Sequence, residues 1–287
     1  VVSASGGSGA GTGAGPARMW RVADLGGLEL FRATISEFEF RPHAHEEFFL
    51  ALTEDGLARP TYRGERHVIG PGDVIALNPE EAHAGGPPAE SSWSYRALYP
   101  GPELFGKVVA EFPGDRRGMP AFGADVVRDR AVVDRLRRFH LLSESVQANR
   151  LEREECLVEA LVLLVARHSA PVRAPRSPGR EPGAVRRSRE YLREHLDRNV
   201  TLEALAAFAG LSPFHLSRVF RSAVGMPPHA YQTSVRVRRA KSLIRAGLPI
   251  TVAAAEAGFY DQAHLNRHFK RILGLSPGRY ARDATDG

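Results

Sequence analysis

Between Trp20 and Tyr99 the chain alternates short apolar runs with turn residues. FRATISEFEF, EEFFLAL, VIALN and SSWSYRALY have the length and spacing of strands, and EDG, RGE and GPGD between them are turn chemistry. Short strands at this spacing predict a small antiparallel barrel or sandwich. The period then changes. Residues 129–146 and 151–168 carry helical apolar spacing, with Leu151, Val158, Leu161, Val162 and Val165 on one stripe and Leu157 and Leu164 on a second. Two stripes exceed what covering one barrel face requires, so a homodimer through this helix is expected.

Residues 169–184, SAPVRAPRSPGREPGA, hold four prolines and read as a semi-extended linker. Everything beyond is helical in pattern: 185–197, 202–209, 213–222, 228–246, 252–257, 262–273 and 277–281. The expected organisation is a disordered tail at 1–18, rich in Gly, Ser and Ala, and a domain at 19–168. The linker at 169–184 and an all-helical domain at 185–287 follow.

The helical domain repeats itself. A shift of 49 places lays His215, Leu216, Arg218, Phe220, Gly225, Pro228 and Tyr231 onto His264, Leu265, Arg267, Phe269, Gly274, Pro277 and Tyr280. Ala206, Ala209 and Gly210 match Ala254, Ala257 and Gly258 at a shift of 48, which marks an internal duplication. In the first copy Leu202, Leu205, Ala206 and Ala209 line one helix, Gly210 closes it, and Ser212 with Pro213 opens the next. This is a helix-turn-helix, and Asp261 takes the N-cap place of Ser212 in the second copy.

With Leu216, Val219 and Phe220 turned to the core, Phe214, Ser217, Arg218 and Arg221 are left outside. The counterparts in the second copy are Gln262, Ala263, Asn266, Arg267 and Lys270. Arg, Asn and Gln are the side chains that pair with base edges. The spacer at 228–246 would span roughly 28 Å as a helix, near the roughly 34 Å of one DNA turn. Its Arg236, Arg238, Arg239, Lys241 and Arg245 suit either phosphate contacts or a solvated face.

Charge supports the partner. The chain carries +6 overall, but residues 185–287 hold 17 Lys and Arg against 8 Asp and Glu, a net of +9 that leaves −3 to the rest. One-sided basic charge suits a polyanion, here double-stranded DNA. Cys156 is the single cysteine, so an internal disulfide or a cysteine-based zinc site is excluded, which fits a reducing cytoplasm. No run of about 18 apolar residues occurs, so no membrane contact is expected.

Residues 185–283, above all GFYDQAHLNRHFKRILGLSPGRY, closely resemble the DNA-binding domain of AraC/XylS-type bacterial transcription regulators. The resemblance implies base contacts from the positions of Phe214, Ser217 and Arg218 and of Gln262, Ala263, Asn266 and Arg267, with Ala263 departing from the polar residue often found there. It also implies RNA polymerase as a partner and, in most members, activation. RPHAHEEFFLAL and GPGDVIALNPEEAHAG resemble the cupin-like ligand-binding domain that precedes the reader in many such regulators. The fold class expected is therefore multidomain: an N-terminal all-β cupin-like barrel with trailing helices, then a C-terminal all-α domain with two helix-turn-helix units.

His43 and His45 lie two apart on a strand and so share a face, and His83 could close a three-imidazole site in the barrel. Enzymatic cupins usually add an acidic ligand four or five residues after the second histidine, where this chain has Phe49 and Leu50. The histidines are therefore read as hydrogen-bonding a small-molecule effector or simply filling the barrel, and Trp93 and Tyr95 as lining its pocket or packing the barrel. No metal, cofactor or catalytic residue is assigned. The competing functions are a cupin-type metalloenzyme with a DNA-binding appendage and a constitutive architectural DNA protein.

Overall fold

The structure is a computed structural model that describes residues 14–110, 119–123, 126–145, 148, 150–170, 183–198 and 200–285. Nine strands come first: β1 (Ala14–Val22), β2 (Leu28–Ser36), β3 (Phe40–His43), β4 (Phe49–Gly56), β5 (Thr61–Tyr62), β6 (Glu65–Arg66), β7 (Val74–Leu77), β8 (His83–Gly85) and β9 (Ser92–Tyr99). They form a five-stranded sheet in the order β1-β2-β9-β4-β7, opposed by a four-stranded sheet in the order β3-β8-β5-β6. The pairings are antiparallel. Strand β1 begins at Ala14, so residues 14–18, expected in the tail, belong to the sheet. The rest of the expected tail, residues 1–13, lies outside the described residues.

The larger sheet is buried on both faces, which explains why β4 reads FLAL without alternation. Phe49 and Ala51 point into the barrel, whereas Phe48, Leu50 and Leu52 pack on helices outside it. Those helices are α1 (Pro102–Ala110), α2 (Arg130–Glu144) and α3 (Arg150–His168), with the short pair β10 (Ala121–Phe122) and β11 (Ser169–Ala170) beside them. Asp129 caps α2 by accepting from Ala131 and Val132. Both stripes of α3 are largely absorbed here: Cys156, Leu157, Ala160, Leu161, Leu164 and Val165 are buried in the chain's own core. Leu151 and Val158 stay exposed. The stripe that motivated the homodimer is thus mostly intramolecular packing.

Seven more helices follow among the described residues: α4 (Gly183–Glu194), α5 (Leu202–Ala209), α6 (Pro213–Val224), α7 (Pro228–Arg245), α8 (Ile250–Glu256), α9 (Gln262–Leu273) and α10 (Pro277–Thr285). Of the expected linker, 171–182 lies outside the described residues. Helices α4, α5 and α6 enclose one core around Leu205, Leu216 and Phe220, to which α7 adds Tyr231 and Val235. Further along, α7 contributes Val237, Ala240 and Ile244 to a second core with Ala254, Leu265, Phe269 and Tyr280. Each fully buried large side chain contributes about 1.5–3 kcal/mol. Gly258, at φ 81°, is required between α8 and α9: a Cβ there would lie 1.8 Å from the Leu196 carbonyl oxygen.

Helix α7 is therefore a central spine, not an exposed rod. Arg236 is buried, donating to the carbonyls of Leu196 (2.9 Å) and Arg198 (2.8 Å). Lys241 is buried against Glu29 of β2. Only Arg239 and Arg245 of the five basic residues are exposed, so the phosphate-contact or solvated-face reading fails for Arg236 and Lys241.

Candidate nucleic-acid interface and sensor cavity

The two reader helices are built alike. Ser212 Oγ accepts from the His215 amide at 3.3 Å and Asp261 Oδ1 from the His264 amide at 2.6 Å, fixing where α6 and α9 begin. On α6 the core takes Leu216 and Phe220 and leaves Phe214, Arg218 and Arg221 exposed with Ser217 half-buried. On α9 the core takes Leu265, Phe269, Ile272 and Leu273 and leaves Gln262, Ala263 and Arg267 exposed, with Asn266 and Lys270 half-buried. The side chains expected to face DNA thus share one outward face on each helix. Tyr260, just before α9, is 92% exposed and was not among the residues expected from the sequence. Its signal was an apolar ring standing alone between Phe259 and the cap Asp261.

The five residues expected in the sensor, His43, His45, His83, Trp93 and Tyr95, line one cavity of about 40 Å³, together with Tyr62, Tyr99 and Phe49. Strand register explains the convergence. His43 pairs directly with His83 across β3 and β8, and Trp93 and Tyr95 share a face of β9, their rings stacked at 4.0 Å. The imidazole centroids are 4.2 Å (His43–His83), 4.9 Å (His43–His45) and 5.1 Å (His45–His83) apart. Burial holds all three histidines below the ordinary imidazole value, and the His83 ring lowers His43 and His45 further. They are neutral near pH 7. Burial likewise pushes the Tyr95 hydroxyl up, reinforced by Tyr99.

Two lining residues come from the reader: Ile272 and Leu273, at the end of α9. The second core is continuous with the barrel interior. Gly274, at φ 75°, ends α9 where a Cβ would sit 3.1 Å from Phe40 of β3. Polar contacts flank this junction. Tyr280 donates to Glu29 at 2.9 Å while Lys241 pairs with the same carboxylate. Glu80, before β8, receives Arg193 (2.8 Å), Arg189 (3.1 Å) and Arg238 (3.2 Å). Burial alone would raise the Glu29 carboxyl, but the Lys241 ammonium and the Tyr280 hydroxyl bring it below its ordinary value.

The sequence matches two domain families, an AraC-like ligand binding domain over residues 25–161 and a helix-turn-helix domain over residues 205–283. It is 31% identical over 239 residues to the Uncharacterized HTH-type transcriptional regulator YbfI of Bacillus subtilis, covering 83% of this chain and 86% of that protein. The chain belongs to the AraC family of transcription regulators. The Arabinose operon regulatory protein of Salmonella typhimurium is 26% identical over 243 residues, covering 84% and 85% of the two chains. The crystal structure of ToxT from Vibrio cholerae superposes with a TM-score of 0.52 over 91% of this chain and 99% of that one. At 10% identity that likeness concerns the fold alone. No described helix is long and apolar enough to cross a membrane.

Proposed function

We propose that this AraC-family regulator binds a specific double-stranded DNA site through α6 and α9 and answers to an effector in the barrel. The bases are contacted from Phe214, Ser217, Arg218 and Arg221 and from Gln262, Ala263, Asn266, Arg267 and Lys270. His43, His45, His83, Trp93 and Tyr95 contact the effector. The chain is a regulator, not an enzyme, and works in the cytoplasm as an activator that engages RNA polymerase. Leu151 and Val158, the apolar residues of α3 left exposed, centre a homodimer contact.

One observation carries the coupling of sensor to reader: the wall of the cavity that holds the three histidines is completed by Ile272 and Leu273 of α9. A cavity of about 40 Å³ admits roughly three waters. Anything larger presses on these walls, two of whose side chains belong to α9, so occupancy can bias the reader's position. The test is to map the genomic sites bound by the full chain and then titrate one such site against random DNA at fixed salt. A preference that each of Arg218→Ala and Arg267→Ala weakens far more than it weakens random-DNA binding supports direct readout. Equal affinity of the parent chain for both DNAs refutes it.

A further inference from the structure

The cavity is too small for a sugar-sized molecule, yet it gathers three imidazoles. One ring nitrogen from each of His43, His45 and His83 lies within 4.8 Å of the other two. The rings are oriented, not merely close. His43 Nδ1 lies 2.6 Å from the Arg41 carbonyl oxygen and His83 Nδ1 lies 3.0 Å from that of Glu81. A carbonyl only accepts, so each Nδ1 carries the proton and each Nε2 is left with its lone pair. This is the arrangement by which an outer hydrogen bond fixes a metal-binding imidazole. Phe49 stacks on His83 at 5.2 Å and Tyr99 meets His45 edge-on at 5.2 Å, restraining the rings from behind.

We propose that His43, His45 and His83 bind one divalent late first-row transition ion, such as Zn²⁺ or Ni²⁺, whose open positions take water or a small oxygen-donor anion. Imidazole suits these ions, and three protein ligands leave the coordination shell open. The missing acidic ligand argued against a metal from sequence alone. In the cavity its absence has a different consequence. Among the described residues the lining contains no Asp or Glu, so the ion keeps its full charge among aromatic walls and favours an anionic exogenous ligand. Ile272 and Leu273 close the same space, so occupancy bears directly on α9. The inference deepens the effector reading of this site, and its metal measurement stands independently of DNA binding.

The experiment uses the untagged full-length chain, stripped with chelator and titrated with Co²⁺, Zn²⁺ and Ni²⁺ separately. One equivalent of Co²⁺ should give d–d absorption bands of an imidazole-bound ion, displaced by Zn²⁺, with a rise in thermal midpoint. His83→Ala, at the least buried of the three, should weaken binding by more than the roughly 10–100-fold that loss of an outer-shell partner costs. His264→Ala/His268→Ala, on α9 away from the cavity, should bind as the parent does. A folded parent chain that retains no ion and shows no Co²⁺ bands overturns the proposal, as does unchanged binding in His83→Ala. Binding lost in His264→Ala/His268→Ala overturns it too. In each of those cases a preserved preference for the genomic site leaves the regulator reading intact.

Discussion

The buried pair between Lys241 and Glu29 ties the reader's spine to the barrel, and removing half of it should be costly. Glu29 is 5% and Lys241 9% exposed, so neither charge can turn to water without opening the junction. Lys241→Met leaves the carboxylate with the Tyr280 hydroxyl at 2.9 Å as its remaining named partner across the junction. Breaking a buried pair in this way costs about 3–5 kcal/mol, most of it the orphaned charge. Glu29→Gln orphans the ammonium similarly while keeping an acceptor for Tyr280. The double variant has no orphan charge and should fall within about 1–2 kcal/mol of the parent. The cycle, measured by urea unfolding of the full chain, should therefore show a coupling of about 4 kcal/mol or more, above the roughly 0.5–3 kcal/mol usual for residues in contact, because two large single losses collapse to one small double loss. Its pH dependence has a definite sign. The Glu29 carboxyl is held below 4.5, so its contribution is present above that value and lost as pH falls further. Lys241, which burial would lower, is held above 10.5 by Glu29 and Glu47 and loses its contribution only as pH rises beyond that. The coupling should be flat between these limits. Single variants whose effects simply add, within about 0.5 kcal/mol, would refute a desolvated pair at the junction.

Arg218→Ala and Arg267→Ala should each weaken the specific site by about 1–3 kcal/mol with little effect on random DNA, read by titration at fixed salt. Gly258→Ala should destabilise the second reader by more than about 1 kcal/mol, because the position needs positive φ and a Cβ would strike Leu196; circular-dichroism melting checks this. Glu144 is held near 2 by His140 first and then by Arg96 and Arg32, so acid should begin to erode the α2–sheet contact below 4.5 and finish near 2, visible in the fluorescence of Trp20 beside His140. Leu151→Glu/Val158→Glu should render a homodimer monomeric in sedimentation while leaving the melting temperature nearly unchanged, since both side chains are exposed.

The sequence disclosed what is local and periodic. His43 and His45 could be put on one face because a strand has period two, and the reader faces followed once Leu216, Phe220, Leu265 and Phe269 were turned inward. What stayed hidden depends on partners far along the chain. Lys241 looks solvated until Glu29, more than 200 residues away, is placed against it, and Arg236 until the Leu196 carbonyl is. The two apolar stripes of α3 read as surplus because a helix pattern does not say how many neighbours surround it. Here α2, with α1 beside it, takes much of both. Ligand types counted along the sequence leave the metal question open, because they cannot report that two Nδ1 atoms lie against carbonyls.

The duplicated unit repeats Arg218 as Arg267 on its outward face but departs from symmetry where it meets the barrel. At a shift of 49 the cavity-lining Ile272 and Leu273 correspond to Ala223, which is exposed, and Val224, which is half-buried. The first reader instead closes its own core with Met226 and Tyr231, and its Gly225 comes near only Ala82 of the barrel. Bulk was thus placed at the end of one copy alone, on the helix whose last turn walls the three histidines. The first copy is held through Glu80 by Arg193 of α4, which salt can reach, and by the half-buried Arg189 of α4 and Arg238 of α7. The second is held by apolar packing and a desolvated ion pair, which salt hardly reaches. A change inside the barrel must therefore act first on α9, and raising salt should loosen α4 and α6 from the barrel before it disturbs α9.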